Sequence, residues 1–301
     1  MIFVAWSAGF ARFLHKARQS KNEVLRLAAA GSVMTQISEL SFYCLDTINS
    51  RSKISTESIS MMRMLRNVIN EEGATALFRG IAATYYGSMF YGFTYFFSYP
   101  WLKKKGHDFF SSRNALPLLH LGSGFVSEYL ALLLYYPFET IKVRLQTKTY
   151  ADSVSLIDGI ADLARETGLK QMYKGYFWYA LHYSINYSVQ ISLYEYLIAT
   201  HKRLYPEKYY AGETKFIVPT AFVCGMVGSS LSNPVEVIAV RKQISPELAL
   251  SSILNQNESL RQLMTKGLGA RVVYHSTQSV VVFFLIHHIG KFFNVDLTEV
   301  A

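Results

Sequence analysis

The chain has 301 residues, of which 50% are hydrophobic and only 17% are charged. A charged fraction this low disfavours a soluble protein of several domains. The net charge of +9 would suit a nucleic-acid-binding protein. However, the basic residues are scattered and form no long basic helix face, so we expect no nucleic-acid partner. Cationic loops beside an anionic membrane are the simpler interpretation.

The N-terminal segment, residues 1–22, contains basic and aromatic residues but no acidic residue. An import presequence has this composition. An amphipathic helix lying in a membrane interface has the same composition. We expect a retained interfacial helix that forms a separate N-terminal segment.

Six long apolar segments follow, each long enough to cross a bilayer as a helix. Shorter amphipathic segments lie between the members of each pair. The pattern predicts an all-α membrane protein with six transmembrane helices and three short surface helices. The predicted spans are approximately 24–51, 81–104, 115–147, 176–200, 214–243 and 268–292, and the surface helices are 57–71, 154–167 and 247–263.

A ten-residue pattern recurs where the first, third and fifth spans end. It reads CLDTINSRSK at 44–53, PFETIKVRLQ at 137–146 and PVEVIAVRKQ at 234–243. After each copy, a basic residue stands directly before a glycine, at Gly80, Gly175 and Gly267. Repetition at a nearly constant interval indicates three repeats of two apolar helices, which give six spans and threefold pseudosymmetry.

This repeated pattern resembles the signature of the mitochondrial carrier family. The second copy matches the signature at every motif position, whereas the first has Cys44, Asn49 and Lys53 in place of proline, the first base and glutamine. The third copy has Ala239 in place of the first base. The resemblance implies a multi-pass protein of the mitochondrial inner membrane with its surface helices on the matrix side. It also implies three repeats at 23–113, 114–210 and 211–301.

The family pattern implies lipid contacts as well. In the resemblance, the glycines of the basic-Gly pairs, Gly80, Gly175 and Gly267, are candidate lipid-binding positions, and bound cardiolipin is expected. No other cofactor is expected. Cys44 and Cys224 fall in different predicted helices, so they indicate neither a disulfide framework nor a metal site.

The resemblance also implies a ring of salt bridges at the matrix end, in which each motif acid pairs with the first base of the next odd-numbered helix. Asp46 can then meet Lys142. Glu139 would face Ala239, and Glu236 would face Asn49, so we expect one bridge of three. At the opposite end, the candidates Lys103 and Glu195 indicate no clear bridge.

Proline positions predict the shapes of the odd-numbered helices. Pro137 and Pro234 lie inside the third and fifth spans, and proline bends a helix because it removes one backbone hydrogen bond. The first span has Cys44 at the equivalent position. We therefore expect the first span to bend less than the other two.

The resemblance places the substrate at the centre of the bundle. The central positions, seven residues after each glycine of the basic-Gly pairs, carry no lysine or arginine. Recognition of phosphate and carboxylate draws on such residues, so nucleotides and di- or tricarboxylates are disfavoured substrates. Acidic residues within apolar runs favour a cationic or neutral solute. The candidate cavity residues are Gly87, His182, Tyr183, Tyr274, Glu39, Glu128 and Arg271.

Two functions fit these residues. No nucleophile motif, phosphate-binding loop or metal spacing occurs in the sequence, so we do not expect an enzyme. Because most expected bridges are missing, the sequence favours a carrier fold kept as an architectural or docking subunit of an inner-membrane assembly, for example a respiratory one. The alternative is an active small-solute transporter that works by alternating access.

Overall fold

The structure is a computed structural model that describes residues 2–55, 59–109, 116–149, 156–162, 165, 173, 175–205, 214–245, 247–254 and 260–295. Regular structure in these ranges is helical, with no strand. This agrees with the expected all-α class.

The helices follow the expected order. They are α1 (Ile2–Arg18), α2 (Glu23–Ser41), α3 (Tyr43–Ile54), α4 (Met61–Glu72), α5 (Ile81–Phe109), α6 (Leu116–Gln146), α7 (Tyr176–Leu204), α8 (Thr214–Ile244), α9 (Leu250–Leu254), α10 (Leu260–Thr265) and α11 (Leu268–Phe293). A short 3-10 helix spans Ala74–Phe78, and residues 156–162 are also helical.

The long helices agree with five of the predicted spans. Helices α5, α6, α7, α8 and α11 have 26 to 31 residues each, and about 20 residues suffice to cross a bilayer. In the described part of the chain, Phe216–Ile244 and Leu268–Phe293 are both long and apolar enough to cross a membrane by composition. The count of six spans stays a prediction.

The first predicted span is not one continuous helix. It is interrupted at Phe42, whose backbone leaves the helical region with φ −123° and ψ 30°. Tertiary contacts fix the direction of α3, because the Tyr43 hydroxyl donates to the Arg79 carbonyl at 2.5 Å and the Thr47 hydroxyl donates to the Leu77 carbonyl at 2.8 Å. The first span is thus interrupted without a proline, and the prediction that it bends less than the other two stays a prediction.

The other two odd-numbered spans remain continuous helices. Pro137 lies inside α6, and Pro234 lies inside α8. Each proline removes one helical hydrogen bond without ending the helix. The expected bends at these two residues stay predictions.

Short helices are found near all three positions where surface helices were expected. Helix α4 begins with Ser60, whose hydroxyl accepts from the Arg63 backbone N–H at 3.4 Å, and it ends before Gly73, whose φ is +84°. The segment 156–162 packs on α6 through Leu156 and Ile160. In the third position, two short helices, α9 and α10, are described on either side of residues 255–259, which lie outside the described ranges.

The chain divides into two compact units. The first unit contains Met1–Ile37, Ser88–Tyr135 and Leu285–Ala301, and the second contains Ser38–Gly87 and Tyr136–Phe284. All three copies of the ten-residue motif belong to the second unit.

Helix α1 belongs to the first unit and is amphipathic, as expected. The Phe13 ring meets the Phe93 ring edge-on at 5.8 Å, and Ala17 is buried. The Arg18 guanidinium lies over the Phe292 ring at 4.1 Å. Arg12 and other basic side chains of α1 are exposed. Its position in a membrane interface stays a prediction.

Candidate functional site

The motif acids of the second unit converge on buried bases. Lys142 Nζ lies 2.9 Å from Asp46 Oδ2, so the ion pair expected between these residues is present. Lys142 also lies 2.8 Å from Glu139 Oε2, three residues earlier on the same helix. Glu139 was expected to have no basic partner at Ala239 on the next odd-numbered helix. It has one on its own helix instead, because residues three apart in a helix lie on the same face.

Glu236 is the most extensively paired acid. The Asn49 amide donates to Glu236 Oε1 at 3.3 Å. Asn49 is the uncharged residue that the repeat pattern places opposite this acid. Lys53 and Arg271 both form ion pairs with the same carboxylate. Glu236 was expected to form no bridge with position 49, and its basic partners lie elsewhere, at Lys53 and Arg271.

The replacement base lies one helical turn from the position where the repeat pattern places it. Lys53 follows Asn49 by four residues, so both side chains lie on one face of α3. Lys53 Nζ donates to Asn49 Oδ1 at 2.7 Å as it reaches Glu236. The first repeat has thus exchanged the positions of its polar and basic residues without losing the charge. Helical spacing could have identified this pair from sequence.

Arg271 is a structural partner in this structure and does not line the cavity. Its side chain is fully buried. Its Nε donates to the Ser229 carbonyl at 2.8 Å, and its Nη2 donates to Ser232 Oγ at 2.5 Å. A buried guanidinium needs such partners for its donors as well as an acid for its charge. Placing Arg271 among the cavity residues was therefore wrong.

Backbone contacts tie the motif helices together. Arg51 Nε donates to the Gln146 carbonyl at 2.7 Å, and Arg144 Nε donates to the Gln243 carbonyl at 3.0 Å. The Gln146 amide donates to Asp46 Oδ2 at 3.1 Å. The second base of each of these two motifs therefore holds the end of the next motif helix. Sequence reasoning missed these roles, because carbonyl acceptors carry no sequence signal.

The glycines of the basic-Gly pairs allow close contact with neighbouring helices. Gly80, Gly175 and Gly267 have φ values of +82°, +97° and +66°. A Cβ atom on Gly80 would lie 3.2 Å from Lys142 Cα, and one on Gly175 would lie 2.8 Å from Lys242 Cβ. Glycine is required at such positions because a side chain would be strained there. The lipid-binding role of these three glycines stays a prediction.

A small cavity lies beside the charged residues in the second unit. Its volume of about 20 Å³ is enough for about one water molecule. Four of the predicted cavity residues line it, namely Glu39, His182, Tyr183 and Tyr274. Its other lining residues are Asp46, Glu139, Lys142, Tyr179, Glu236, Ala239, Val240, Gln243 and His275. Gly87, also predicted, is buried and does not line this cavity.

Neutral donors hold Glu39, the predicted acid that lines this cavity. The Tyr274 hydroxyl donates to Glu39 Oε2 at 3.3 Å, and the Gln278 amide donates to Glu39 Oε1 at 2.8 Å. Among the described residues, no basic side chain forms an ion pair with Glu39. The other acids of the cavity lining, Asp46, Glu139 and Glu236, each have a basic partner.

The remaining predicted residues include the candidates for the opposite gate. Lys103 lies over the Tyr99 ring at 5.8 Å in the first unit. Glu195 lies in α7, and its side chain is outside the described residues. Glu128 belongs to the first unit and accepts from the Tyr91 hydroxyl at 3.0 Å with each carboxylate oxygen. The opposite gate stays a prediction.

A second charged cluster centres on Glu72 at the end of α4. Arg51 and Arg79 both form ion pairs with its carboxylate, and Lys148 Nζ lies 3.1 Å from Oε1. The hydrogen bond from Arg51 is the main reason that the pKa of Glu72 falls to about 2, and Lys148 adds to the effect. The cluster joins α3, α4 and the end of α6. Within the described residues, no group of three His, Cys, Asp or Glu residues could hold a metal ion.

Comparison with known proteins agrees with these features. The sequence profile of the family described as "Mitochondrial carrier protein" matches residues 20–109 and 114–204, which together are more than half of the chain. "Mitochondrial substrate carrier family protein E" of Dictyostelium discoideum is 21% identical over 84% of this chain and 90% of its own length.

Two further similar proteins are named for particular solutes. The "Probable mitochondrial 2-oxodicarboxylate carrier" of Schizosaccharomyces pombe is 23% identical over 73% of this chain and 74% of its own length. "Mitochondrial thiamine pyrophosphate carrier 1" of Candida albicans is 27% identical over 48% of this chain and 51% of its own length. Carriers of this kind are transporters in mitochondrial membranes, not enzymes. By its profile match, its motif and its helical structure, the chain is a divergent member of the mitochondrial carrier family.

Proposed function

We propose that this protein is a small-solute transporter of the mitochondrial inner membrane, with six spans in three repeats and alternating access to a central cavity. One observation supports this most strongly: each motif acid has a basic partner. Lys142 serves Asp46 and Glu139, and Lys53 serves Glu236. A charge network of this kind can hold one face of the protein closed until substrate binding changes the balance between two states.

The same observation weakens the docking-subunit interpretation. That interpretation depended on missing bridges at both ends of the bundle, two of the three expected ones at the matrix end and a clear one at the opposite end. Glu236 has a basic partner in Lys53, one helical turn from the position that the pattern predicts. Glu139 has a basic partner in Lys142 of its own helix. The similar proteins described above are also named as carriers.

The cavity favours a cationic or neutral substrate. Glu39 is held by the neutral donors Tyr274 and Gln278, so it can attract a positive charge. Arg271, which could have bound an anion, is committed to Glu236 and to the backbone of α8. The named carriers transport different solutes, so we base the substrate class on the cavity.

Alternating access can be tested by measuring from which side the cavity is reached. Ala239 is buried in the cavity lining. We would introduce Ala239→Cys into a chain in which Cys44 and Cys224 are replaced by serine, and reconstitute it in one orientation in liposomes. A membrane-impermeant maleimide is then added to either side. Arg63→Cys, on the exposed face of α4, reports the orientation.

We expect Ala239→Cys to be labelled from both sides, because each state opens the cavity to one of them. Adding Asp46→Asn should increase labelling from the side that carries α4, since it removes one gate charge. Labelling from one side only, in both backgrounds, would overturn the transport proposal. Copurification with other membrane proteins at fixed stoichiometry would then support the docking subunit.

A further inference from the structure

The first unit contains an acid that the gate does not use. Glu128 lies in α6, and both of its carboxylate oxygens accept from the Tyr91 hydroxyl at 3.0 Å. No basic side chain among the described residues forms an ion pair with Glu128. An acid inside a membrane helix is costly, so it is typically found on a ligand or proton path or paired with another group.

Helical periodicity shows which way Glu128 faces. Val126, Leu130 and Leu134 are 44–50% exposed and lie together on one side of α6. Glu128 lies on the opposite side, with the buried residues Leu132 and Tyr135. Glu128 is nevertheless only half-buried. Its accessible surface is therefore turned away from the apolar face that suits lipid.

A ladder of three tyrosines approaches this acid along α5. The rings of Tyr91 and Tyr95 stack with centroids 6.3 Å apart, and those of Tyr95 and Tyr99 stack at 6.1 Å. The Tyr135 ring contacts the ladder at Tyr91, since the two ring centroids are 5.8 Å apart. The spacing of four residues keeps the three hydroxyl-bearing rings on one face of the helix.

This ladder also faces away from the lipid side of its helix. Phe90, Phe97 and Trp101, which are 36–49% exposed, lie on the opposite face of α5 from the tyrosines. Tyr91, Tyr95 and Tyr99 are half-buried. The last ring already holds one cation of the protein, because Lys103 Nζ lies 5.8 Å from the centroid of Tyr99.

We propose that Glu128 and the tyrosine ladder Tyr91–Tyr95–Tyr99 form a binding site for an organic ammonium ion. The carboxylate supplies the opposite charge, and the aromatic faces bind a cation within about 6 Å of a ring centroid. Apolar substituents on the nitrogen pack against the rings, so a substituted ammonium is favoured over a small hydrated ion. This inference deepens the transport proposal and rests on it for its biological meaning.

The test measures binding of choline to the full-length protein purified in detergent. The control ligand is 3,3-dimethylbutan-1-ol, which replaces the charged nitrogen of choline by carbon. We expect choline to bind at least about tenfold more tightly than the neutral alcohol. Glu128→Gln should remove most of that difference, while its amide oxygen can still accept from Tyr91.

Further variants distinguish the effect of losing the aromatic ring of Tyr95 from an effect on folding. Tyr95→Phe keeps the aromatic face, so choline affinity should stay within about twofold, whereas Tyr95→Leu should weaken it about fivefold or more. Glu71→Gln removes the same charge from an exposed position on α4 and should change nothing. Affinities are compared only for variants whose unfolding temperature without ligand equals that of the wild type.

Equal affinity for choline and the neutral alcohol would overturn the proposal, and so would choline binding that is unchanged in Glu128→Gln. These results are independent of the maleimide experiment. Two-sided labelling of Ala239→Cys without choline binding would leave the transport proposal standing and remove only this site.

Discussion

Lys53 forms a buried ion pair with Glu236, although the repeat pattern places glutamine at its position. The equivalent residues of the other repeats are Gln146 and Gln243, and the pattern places the base at Asn49 instead. The first repeat thus keeps its charge one helical turn away. This relationship is the reason to interpret the charged ring as a working gate.

The first prediction tests that exchange. Lys53→Gln restores the pattern residue but leaves Glu236 with Arg271 as its one basic partner among the described residues, so the unfolding temperature should fall. The loss of unfolding free energy should be smaller than about 3–5 kcal/mol, which is the cost of leaving a buried charge wholly unpaired. Adding Asn49→Lys should recover most of it, because a base then stands where the pattern places it. Thermal unfolding of the purified protein measures both, and a double variant no more stable than Lys53→Gln would contradict the exchange.

The second prediction concerns the base shared by two acids. Lys142→Met should destabilise the protein more than Asp46→Asn does, because it leaves both Asp46 and Glu139 without their cation. Loss of one partner of a buried pair costs about 3–5 kcal/mol. In Asp46→Asn, Gln146 can still donate to the side-chain oxygen, and Lys142 keeps Glu139. Unfolding temperatures in the reverse order would show that Lys142 is not the centre of the ring.

The third prediction is a pH dependence that depends on Glu72. Its pKa is lowered from its ordinary value of 4.5 to about 2, mainly by the hydrogen bond from Arg51. A lowered carboxyl pKa contributes stability that is complete above the unfolded value and is lost as pH falls towards the folded value. The unfolding temperature of the wild-type protein should therefore fall more steeply between about pH 4.5 and 2 than that of Glu72→Gln.

Glu71→Gln is the matched control, because Glu71 is the exposed neighbour of Glu72 on the same helix. Its acid-side slope should equal that of the wild type. Identical slopes for the wild type and Glu72→Gln would mean that the cluster of Arg51, Arg79 and Lys148 does not stabilise the folded state through this carboxylate.

The fourth prediction concerns excluded substrates. Reconstituted alone, the protein should not exchange labelled ADP, malate or citrate faster than empty liposomes. Recognition of phosphate and carboxylate draws on arginine or lysine with free donors, and Arg271 is committed to Glu236, Ser229 and Ser232. Saturable uptake of any of the three that disappears in a folded Arg271→Ala variant would show that Arg271 binds substrate.

The fifth prediction tests a close helix contact. A Cβ atom on Gly225 would lie 2.7 Å from both the His275 carbonyl oxygen and Ser276 Cα, so Gly225→Ala would force α8 and α11 apart. Overpacking of this kind costs about 1–3 kcal/mol. Gly122→Ala is the control, since nothing lies within 4 Å of its added Cβ atom. Equal unfolding temperatures for the two variants would argue against the contact.

The sequence by itself determined the helical class, the order of the helices and the motif positions, because these depend on local periodicity and on residue spacing. It also identified Asp46 and Lys142 as a pair, since both stand at motif positions. The helix preceding Gly73 was predicted for the same reason, as glycine with positive φ ends a helix in a locally recognisable way.

Only the tertiary structure decided which groups meet when a motif position is substituted. Lys53 reaches Glu236, and Arg271 joins it, because buried charges find partners wherever side-chain length allows. The break at Phe42 has no proline or glycine to indicate it in the sequence, and contacts of α3 with Arg79 and Leu77 accompany it. Likewise, the separation of Glu39 and Glu128 into two different compact units could not be read from two acids in similar apolar runs.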